Sequence, residues 1–374
     1  MRIAFVAELF HPHLGGAEFR AFQFAKGLAS RGHRVTAYTV DYTDGSLPEE
    51  ETVDGVRIVR WTRIPGYIGP HGRSVLGMMR FGDRAGQLLT DGVSEENDAV
   101  VVNQWPLLHL LGVRQGRLPS TIAIDWCEWW DEPVWRPVFA HTARQVPSAV
   151  AVECHVANRV RAANPSGHVE VVRTPVPLST YTVGTQDKDR DLIVFVGRVA
   201  PQKRVDRLAE AVVHLNETQG ARKRLAVLGD GEQRKVLEAR FARYPYIRFL
   251  GCVSEETKAQ YLRRAWILGL CSRREGMPIT LMEAIASGTP VVTVRSPLNT
   301  SNELVEAQGI GIVAPSARAA DLARGIAALD DEALWSRMRA AERRLLPAFD
   351  PTRAMDTLER FLASLQDTGP GVAG

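Results

Sequence analysis

Residues 191–231 read DLIVFVGRVAPQKRVDRLAEAVVHLNETQGARKRLAVLGDG. The stretch begins with an apolar run that is typical of a buried parallel strand. A short loop leads into a segment whose apolar residues recur at helical spacing, and a second apolar run, LAVLG, follows. This order predicts a strand–helix–strand unit with two parallel strands.

The same order opens the chain. Residues 3–7 form an apolar run, a Gly-rich loop follows, and an amphipathic segment ends at Gly32 before a second run, RVTAYTV. The apolar positions of that segment are Phe19, Phe22, Ala25, Leu28 and Ala29. Because strands and helices alternate in both halves, the predicted fold class is α/β with two doubly wound, Rossmann-like sheets. A length of 374 residues suffices for two domains.

Two segments mark the predicted domain limits. VRTPVPLSTYTVGTQDKDRD, residues 172–191, holds two prolines and a polar run, which indicates a linker. AFDPTRAMDTLERFLASL predicts a terminal helix that begins at Asp350-Pro351, with proline at the first helical position. We therefore predict one domain over residues 1–178 together with the helix in 347–374, and a second domain over residues 179–346.

Composition argues against several classes of partner. The formal net charge is only +3 and no block of like charge occurs, which argues against a nucleic-acid partner. The four cysteines are scattered without a CxxC pair, so we expect no zinc site and no disulfide framework. The N-terminal apolar run is too short for a signal peptide, and no stretch of about 18 apolar residues occurs. We therefore expect a cytoplasmic protein without a membrane span.

The segment ILGLCSRREGMPITLMEAIASGTPVVTV, residues 267–294, carries the most chemical information. It predicts a strand, a loop, and a helix that Pro278 opens and Gly288 closes. Glu283 is the one ionisable residue of this apolar helix, and a buried carboxylate needs a partner. Two interpretations remain open at this point: a structural ion pair and a ligand-binding group.

The loop before this helix favours a ligand. Glu275 follows a predicted strand, at the sheet edge where open α/β sheets bind ligands. Gly276 and Met277 offer backbone N–H groups at a helix N-terminus, which suits an anion. Carboxylates accept hydrogen bonds from hydroxyls and amides donate to phosphate, so this combination predicts a sugar nucleotide.

Two cations stand near the start of the helix in the opening stretch. Arg198 ends the first strand and Lys203 lies near the next helix N-terminus, where a cation opposes the macrodipole. A bound diphosphate would make them favourable, whereas the alternative is two solvated surface cations. LGDGEQR, residues 228–234, lacks the third glycine of a dinucleotide fingerprint, so we interpret it as a turn, with nucleotide contact as the alternative.

Several motifs of this chain occur together in one known family. They are GR-x4-K (Gly197, Arg198, Lys203), FLGCVS (249–254), E-x7-E (Glu275, Glu283) and GGAE (15–18). In combination they resemble the retaining glycosyltransferases of family 4, which have the GT-B fold. The resemblance implies two domains facing across a cleft, with the nucleotide-sugar donor bound by residues 179–346 and the acceptor by residues 1–178.

The resemblance also implies roles for single residues. Arg198 and Lys203 would hold the diphosphate and stabilise the leaving group without a metal or cofactor, and Glu275 would contact the donor sugar. Glu283 would accept the ribose hydroxyls. The remaining donor contacts would be Gly15, Gly16, Gly251, Cys252, Val253, Gly276, Met277 and Pro278. UDP-sugars are favoured over GDP-sugars, and the transferred group would be a hexose or an N-acetylhexosamine.

Two departures from the family pattern stand out. The family usually carries a histidine after a strand near position 125, where this chain has Asp125-Trp126. Relatives often carry a glycine pair where this chain has SPLNTSNELVE, residues 296–306, although Glu303 matches their acidic position.

The first departure lies in DWCEWWDEPVW, residues 125–135, which holds four of the eight tryptophans and four carboxylates. Indoles stack on sugar rings, and carboxylates bind hydroxyls or amines. This composition predicts contacts to a small hydrophilic acceptor, an aminocyclitol or aminosugar as in aminoglycoside biosynthesis. The predicted contacts are Asp125, Trp126, Glu128, Trp129 and Asp131. The alternative is a packed loop whose tryptophans are structural.

Other functions remain as alternatives. RSVLGMMRFGDRAGQLL, residues 73–89, places arginines beside apolar residues and would suit peripheral membrane contact and a lipid or polysaccharide acceptor. A nucleotide-sugar epimerase shares the two-domain architecture, and a sugar-binding protein without catalysis is a further possibility. A dinucleotide oxidoreductase lacks support, because no intact G-x-G-x-x-G follows either first strand.

Overall fold

The computed structural model describes residues 1–13, 15–43, 45–69, 72–90, 92–107, 118–182 and 188–367. The chain divides into two compact units. The first comprises Met1–Pro175 and Pro351–Gly374, and the second comprises Val176–Asp350. The predicted limits, after residues 178 and 346, fall close to these boundaries.

The first unit is built on an eight-stranded sheet in the order β10-β9-β8-β7-β1-β2-β4-β3. Its strands are β1 (Arg2–Val6), β2 (Arg34–Asp41), β3 (Glu50–Val53), β4 (Val56–Arg63), β7 (Ala99–Asn103), β8 (Ile122–Trp126), β9 (Ser148–Ala151) and β10 (His168–Val171), with β5 (Ile68–Gly69) and β6 (Gly72–Arg73) as a separate pair. Its first helices are α1 (Gly16–Ser30), α2 (Val75–Thr90), α3 (Val93–Glu96), α4 (Arg136–Gln145) and α5 (Cys154–Ala163). Within this sheet, only β3 pairs antiparallel, against β4.

The second unit is built on a six-stranded parallel sheet in the order β13-β12-β11-β14-β16-β18. Its strands are β11 (Asp189–Val196), β12 (Arg224–Leu228), β13 (Ile247–Gly251), β14 (Ala265–Leu270), β16 (Val291–Val294) and β18 (Gly311–Ala314), and a short ladder joins β15 (Arg274–Glu275) to β17 (Leu298–Asn299). Its helices are α6 (Val205–Gln219), α7 (Arg234–Phe241), α8 (Glu255–Arg264), α9 (Ile279–Ser287), α10 (Ser301–Gln308), α11 (Ala319–Ala328) and α12 (Glu332–Leu345). Short 3₁₀ turns span Leu178–Thr180, Pro201–Lys203 and Leu346–Phe349.

The strand order of the second sheet places two loops side by side. The chain leaves β11 for β12 and β13, then crosses back to pair β14 with the other side of β11. The carboxyl ends of β11 and β14 therefore flank a topological switch point, the usual ligand position of an open α/β sheet. The GR-x4-K loop (residues 197–203) follows β11, and the RREG loop (residues 273–276) follows β14.

The last described element is helix α13 (Pro351–Asp367), which belongs to the first unit. Its buried residues Leu358, Phe361 and Leu362 join the apolar cluster that α1 and β1 also line. At its surface, Glu359 accepts a hydrogen bond of 2.8 Å from Arg31, the C-cap residue of α1. Across the described ranges, no helix combines the length and hydropathy that crossing a membrane requires.

Candidate active site

Two cations of the loop after β11, Arg198 and Lys203, differ in their partners. Arg198 is exposed, and its guanidinium makes no hydrogen bond or ion pair with any residue the structure describes. Lys203 ends the 3₁₀ turn before α6, and its Nζ forms an ion pair with Oε1 of Glu275. The two cations thus lie at the carboxyl end of β11, where an anion would be bound.

Glu275 comes from a segment 72 residues further along the chain than Lys203. Its carboxylate also accepts a 2.7 Å hydrogen bond from Ser272 Oγ, and its side chain is only 11% exposed. The ion pair therefore joins the loops that follow β11 and β14. Lys203 and Glu275 were predicted only to lie at the same sheet edge, and the structure brings them into contact.

The loop that replaces the family's glycine pair supports Glu275 from the other side. Thr300 donates to the carbonyl oxygen of Glu275 through its backbone N, at 2.9 Å, and through its Oγ1, at 3.1 Å. Asn299 Nδ2 donates to the carbonyl oxygen of Ser272 at 3.2 Å. Polar side chains of residues 296–306 thus hold the Glu275 loop in place. The sequence signal for this role was the absence of the family's glycine pair from this segment.

Gly276, Met277 and Pro278 lead into α9 and are all partly exposed. Pro278 is the N-cap of α9, and no side chain caps the first N–H groups of this helix. Uncapped N–H groups at a helix start are ready donors to an anion. The backbone at this position therefore fits the predicted contact with a phosphate or a sugar.

Glu283 is buried in α9 and has protein partners. It is 3% exposed, its Oε1 lies 2.7 Å from Lys258 Nζ, and it accepts a 3.0 Å hydrogen bond from Tyr181 Oη. Burial raises the pKa of Glu283, and the bonds from Lys258 and Tyr181 oppose that rise. Neither Lys258 nor Tyr181 was recognised as a partner from the sequence. The contact with Lys258 is the structural ion pair that was one of the two interpretations of Glu283.

The predicted contacts to the base lie at the end of β13. Gly251 is buried with a φ of +71°, and its carbonyl oxygen accepts a 2.8 Å hydrogen bond from the N–H of Gly229. Cys252 is exposed and Val253 is half-buried. The segment therefore offers a turn of backbone and few side-chain atoms at the carboxyl edge of the sheet.

The LGDG turn packs against the GR-x4-K loop. A Cβ at Gly229, whose φ is +134°, would lie 1.9 Å from the carbonyl oxygen of Gly197. At Gly231 it would lie 2.5 Å from the carbonyl oxygen of Val199. These glycines allow two backbone segments to touch, and the turn of LGDGEQR follows them at Glu232 and Gln233.

We expect Gly229→Ala to destabilise the protein by at least about 1–3 kcal/mol, because backbone atoms must shift and a positive φ must be kept. Urea unfolding followed by circular dichroism measures the change. Gly220→Ala is the matched control, because Gly220 also has a positive φ, +65°, but open space around its Cβ position. Equal losses in the two variants would contradict the packing argument.

In the first unit, the GGAE segment has an internal contact. A Cβ at Gly15 would lie 2.1 Å from Oε2 of Glu18, whereas at Gly16 it would meet nothing within 4 Å. Glu18 is 6% exposed and lies in the first turn of α1. Gly15 therefore makes room for the Glu18 carboxylate, while Gly16 leaves the start of α1 open.

Asp125, a predicted acceptor contact, has a partner inside the first unit. Asp125 is 2% exposed and forms a two-pronged ion pair with Arg20 of α1, with N–O distances of 2.8 to 3.0 Å. Arg20 is 1% exposed and also donates to Thr174 Oγ1 at 3.3 Å. Since both oxygens of Asp125 are bonded to a buried cation, this carboxylate is part of the interior of the first unit.

Arg20 was missed in the sequence, although a signal existed. It precedes the buried Phe24 by one helical turn, and its guanidinium lies 4.3 Å from the Phe24 ring centroid. The buried face of α1 carries Ala21, Phe24, Ala25 and Leu28, whereas Phe19, Phe22 and Ala29 are only half-buried. An arginine on the more buried of two adjacent faces indicates a buried acidic partner.

The tryptophans of residues 125–130 are also interior. Trp126 is fully buried, and Trp129 and Trp130 are 6% and 7% exposed. Together with Trp105 and Phe139 they form an aromatic cluster with ring centroids 4.9 to 6.2 Å apart. The rings of Trp126 and Trp129, which were predicted to stack on an acceptor, are thus packed against other aromatic side chains of the first unit.

The neighbouring carboxylates serve these indoles. Glu128 accepts hydrogen bonds from Trp105 Nε1 at 2.7 Å and Trp130 Nε1 at 3.0 Å. Asp131 accepts from Trp129 Nε1 at 3.0 Å and from Arg159 at 2.6 Å. Buried indole N–H groups usually have acceptors, and these carboxylates supply them for Trp105, Trp129 and Trp130. The Nε1 of Trp126 is buried without a hydrogen-bond partner among the described residues.

The exposed part of this loop lies further along the chain. Residues 131–135, DEPVW, are all exposed and follow β8, whose carboxyl end is at the ligand-binding edge of its sheet. Trp135 is 36% exposed, and the chain continues from it into α4. The 131–135 segment is therefore the most accessible part of this loop, and Cys127 and Glu128 are half-buried.

Two family models match the chain in succession. Residues 14–180 match Glycosyltransferase Family 4, and residues 183–344 match Glycosyl transferases group 1. The D-inositol 3-phosphate glycosyltransferase of Jonesia denitrificans is 26% identical over 88% of this chain and 86% of its own. The alpha-D-kanosaminyltransferase of Streptomyces kanamyceticus is 31% identical over 40% of this chain and 39% of its own.

Solved structures share the fold. Sucrose-phosphate synthase from Thermosynechococcus elongatus superposes with a TM-score of 0.77 at 17% identity, covering 98% of this chain and 100% of that one. The Anabaena protein HepE, solved with UDP and glucose, gives a TM-score of 0.69 at 17% identity, covering 97% of this chain and 100% of that one. The predicted GT-B fold is confirmed.

The two Rossmann-like units, with cations and a carboxylate at the switch point of the second, define a GT-B glycosyltransferase that uses a nucleotide-sugar donor. The chain belongs to glycosyltransferase family 4.

Proposed function

We propose that this enzyme transfers a hexose or N-acetylhexosamine from a UDP-sugar to a small hydrophilic acceptor, with retention of configuration and without a metal. The observation that carries the proposal is the ion pair of Lys203 with Glu275, together with the exposed, unpaired guanidinium of Arg198 in the same loop as Lys203. It combines donors for a diphosphate with an acceptor for sugar hydroxyls at one sheet edge.

In this proposal the two cations act on the leaving group. Arg198 and Lys203 bind the diphosphate, and their charges stabilise the negative charge that develops on it as the glycosidic bond breaks. The ammonium of Lys203 carries three N–H donors, so it can hold a phosphate oxygen while it keeps its bond to Glu275. Glu275 accepts hydrogen bonds from the donor sugar and orients it.

The remaining donor contacts follow from the same positions. The uncapped N–H groups after Gly276 and Met277 donate to the donor, and the backbone of residues 251–253 contacts the base. Glu283 accepts a hydroxyl of the ribose. The preference for UDP over GDP is supported by the similar HepE structure, which contains UDP.

For the acceptor, we propose an aminocyclitol or aminosugar, as in aminoglycoside biosynthesis. The similarity to an alpha-D-kanosaminyltransferase supports this class. Within the tryptophan-rich loop the contacts move to the exposed residues Asp131, Glu132 and Trp135, of which the two carboxylates attract an ammonium group. Glu128 acts indirectly, by fixing the indoles on which this segment rests.

Exchange of Glu132 for Gln is expected to raise KM for an aminocyclitol such as 2-deoxystreptamine about tenfold, because a charged hydrogen bond becomes a neutral one. KM for the neutral cyclitol myo-inositol should remain within about twofold, since no charge is lost from that complex. Initial rates of transfer by mass spectrometry measure both. Glu95→Gln, at another exposed carboxylate of the first unit, is the control, and equal loss on both acceptors would contradict the charge argument.

A lipid acceptor is the second candidate. Helix α2 exposes the apolar side chains of Val75, Leu76 and Met79 to 67%, 57% and 58%, beside the exposed Arg80. Such a face suits a membrane interface that holds a lipid-linked acceptor. Transfer to a lipid-linked sugar and to no free cyclitol would select this candidate.

A thermal-shift panel of UDP- and GDP-sugars, followed by acceptor screening by mass spectrometry, tests the proposed function. Stabilisation by UDP-sugars and a product with the mass of donor sugar plus acceptor are expected. Isomerisation of the nucleotide sugar without an acceptor would indicate an epimerase, and binding without any turnover would indicate a sugar-binding protein.

A further inference from the structure

The two described partners of Glu283 bind the same oxygen. Lys258 Nζ lies 2.7 Å and Tyr181 Oη 3.0 Å from Oε1, whereas Oε2 accepts no hydrogen bond from the residues that the structure describes. The side chain is 3% exposed. A carboxylate held by one oxygen has a fixed orientation and keeps its second oxygen free for one further donor.

Lys258 lies at a position that the local helix disfavours. Helix α8 has Ser254 as its N-cap, whose Oγ accepts from the N–H of Thr257 at 3.2 Å, so Lys258 follows directly in the first turns. A cation there opposes the helix macrodipole. The compensation is its pairing with Glu283, at 2.7 Å, and with Glu255, at 2.9 Å. A residue that breaks a local rule in favour of a distant partner suggests a function.

Tyr181 completes the arrangement from the 3₁₀ turn at Leu178–Thr180. It is 1% exposed, and its Oη lies 2.8 Å from Glu255 Oε2 and 3.0 Å from Glu283 Oε1. Burial and the neighbouring carboxylates raise the pKa of Tyr181 far above its usual range, so the phenol remains a hydrogen-bond donor. Its single proton serves one of the two carboxylates at a time.

The charges around Glu283 are few. Helix α8 contributes Lys258 and Glu255, and the 3₁₀ turn contributes Tyr181. Helix α12 contributes Arg339 and Glu342, which lie at the other end of α9, near Gly288 and Lys188. Lys258 is therefore the one described cation in direct contact with Glu283, and it offsets the burial that raises the pKa of this carboxyl.

We propose that Lys258 and Tyr181 are positioning residues of the donor site, which hold Oε1 of Glu283 so that Oε2 accepts a ribose hydroxyl of the nucleotide. Lys258 also keeps Glu283 ionised, because without it a buried carboxylate would lose its counter-charge. This inference rests on the proposed function, in which Glu283 binds the ribose. In this inference the ion pair with Lys258 orients Glu283 for the ribose. Glu283 is then both a member of a structural ion pair and a ligand-binding group.

Binding of UDP and of 2′,3′-dideoxy-UDP by calorimetry tests this inference, with GDP and its dideoxy analogue in parallel. The wild-type enzyme should bind the ribonucleotide about 10- to 100-fold more tightly, as expected for a hydrogen bond to a charged acceptor. In Lys258→Met this ratio should fall to about threefold or less, while the dideoxy nucleotide binds as before. Lys258→Arg should restore most of the ratio, and Tyr181→Phe should lower it partly.

The pH dependence separates positioning from structural support. Loss of Lys258 raises the pKa of Glu283 further, so in Lys258→Met the ratio should grow from neutral to mildly alkaline pH as the carboxyl ionises. The wild-type ratio should stay constant over the same range. Equal weakening of both nucleotides in Lys258→Met, without a pH trend, would mean that the ion pair only supports the fold.

Glu283→Gln distinguishes this inference from the function on which it rests. If Glu283→Gln keeps the full ratio, the ribose role of Glu283 is wrong and the inference falls with it. If Glu283→Gln loses the ratio but Lys258→Met keeps it, the ribose role stands and the positioning role is overturned. Failure of every nucleotide to bind the wild-type enzyme would overturn both.

Discussion

Lys203→Met is expected to lower kcat/KM by about 100- to 1000-fold, the usual cost of removing one preorganised donor to a charge that develops in the transition state. Lys203 is the cation that links the β11 and β14 loops through its ion pair with Glu275. Its loss removes a phosphate contact and also the counter-charge that holds Glu275. Initial rates with the donor selected by the thermal-shift panel measure the effect.

Two further variants separate these contributions. Arg198→Met should cause a loss of similar size, although the Arg198 side chain has no partner in the described part of the chain. Its effect therefore cannot come from a neighbour that is left unpaired. Arg207→Met is the control, because Arg207 is half-exposed on α6 and pairs with Glu210 at 3.0 Å. Activity of Lys203→Met within about threefold of the wild type would contradict the proposed diphosphate site.

Arg20→Met is expected to destabilise the first unit by about 3–5 kcal/mol, because it leaves the Asp125 carboxylate buried without a counter-charge. Both side chains of this pair are at most 3% exposed. The double variant Arg20→Met/Asp125→Leu should recover most of the loss, since a buried ion pair replaced by apolar groups is often neutral. Urea unfolding monitored by circular dichroism measures all three proteins.

The control for this experiment is an exposed ion pair in the same unit. Lys26 and Asp54 lie 2.6 Å apart with side chains 48% and 46% exposed, so Lys26→Met should cost less than about 1 kcal/mol. A loss in Arg20→Met no larger than in Lys26→Met would contradict the role of the buried pair. The result also bears on Asp125, since unfolding alone would lower the activity of a variant at that position.

Much of the second unit could be predicted from local patterns. The apolar runs at 191–196 and 224–228 form β11 and β12, and Pro278 and Gly288 bound α9 as predicted. Periodicity and helix-end residues act over a few neighbours along the chain, so a single sequence contains them.

The site was only partly predictable for the same reason. Arg198, Lys203 and Glu275 follow predicted strands, and parallel strands bring their carboxyl ends to one edge of the sheet. That rule predicts which residues lie at the edge but not which of them are in contact. Lys203 contacts Glu275 because β11 and β14 are neighbours in the sheet. The partners of Glu283 come from α8 and from a 3₁₀ turn that no periodicity connects to α9.

The sequence by itself determined the alternation of strands and helices, the family motifs and the sheet edge that carries them, because these depend on residues close together in the chain. Only the tertiary structure decided which polar groups meet. Asp125 and the tryptophans after it looked like an acceptor surface, yet Arg20 lies 105 residues from Asp125 in sequence and pairs with it in the interior. Burial depends on distant segments that cover a residue, so a run of indoles and acids cannot by itself reveal whether it faces a ligand or the core.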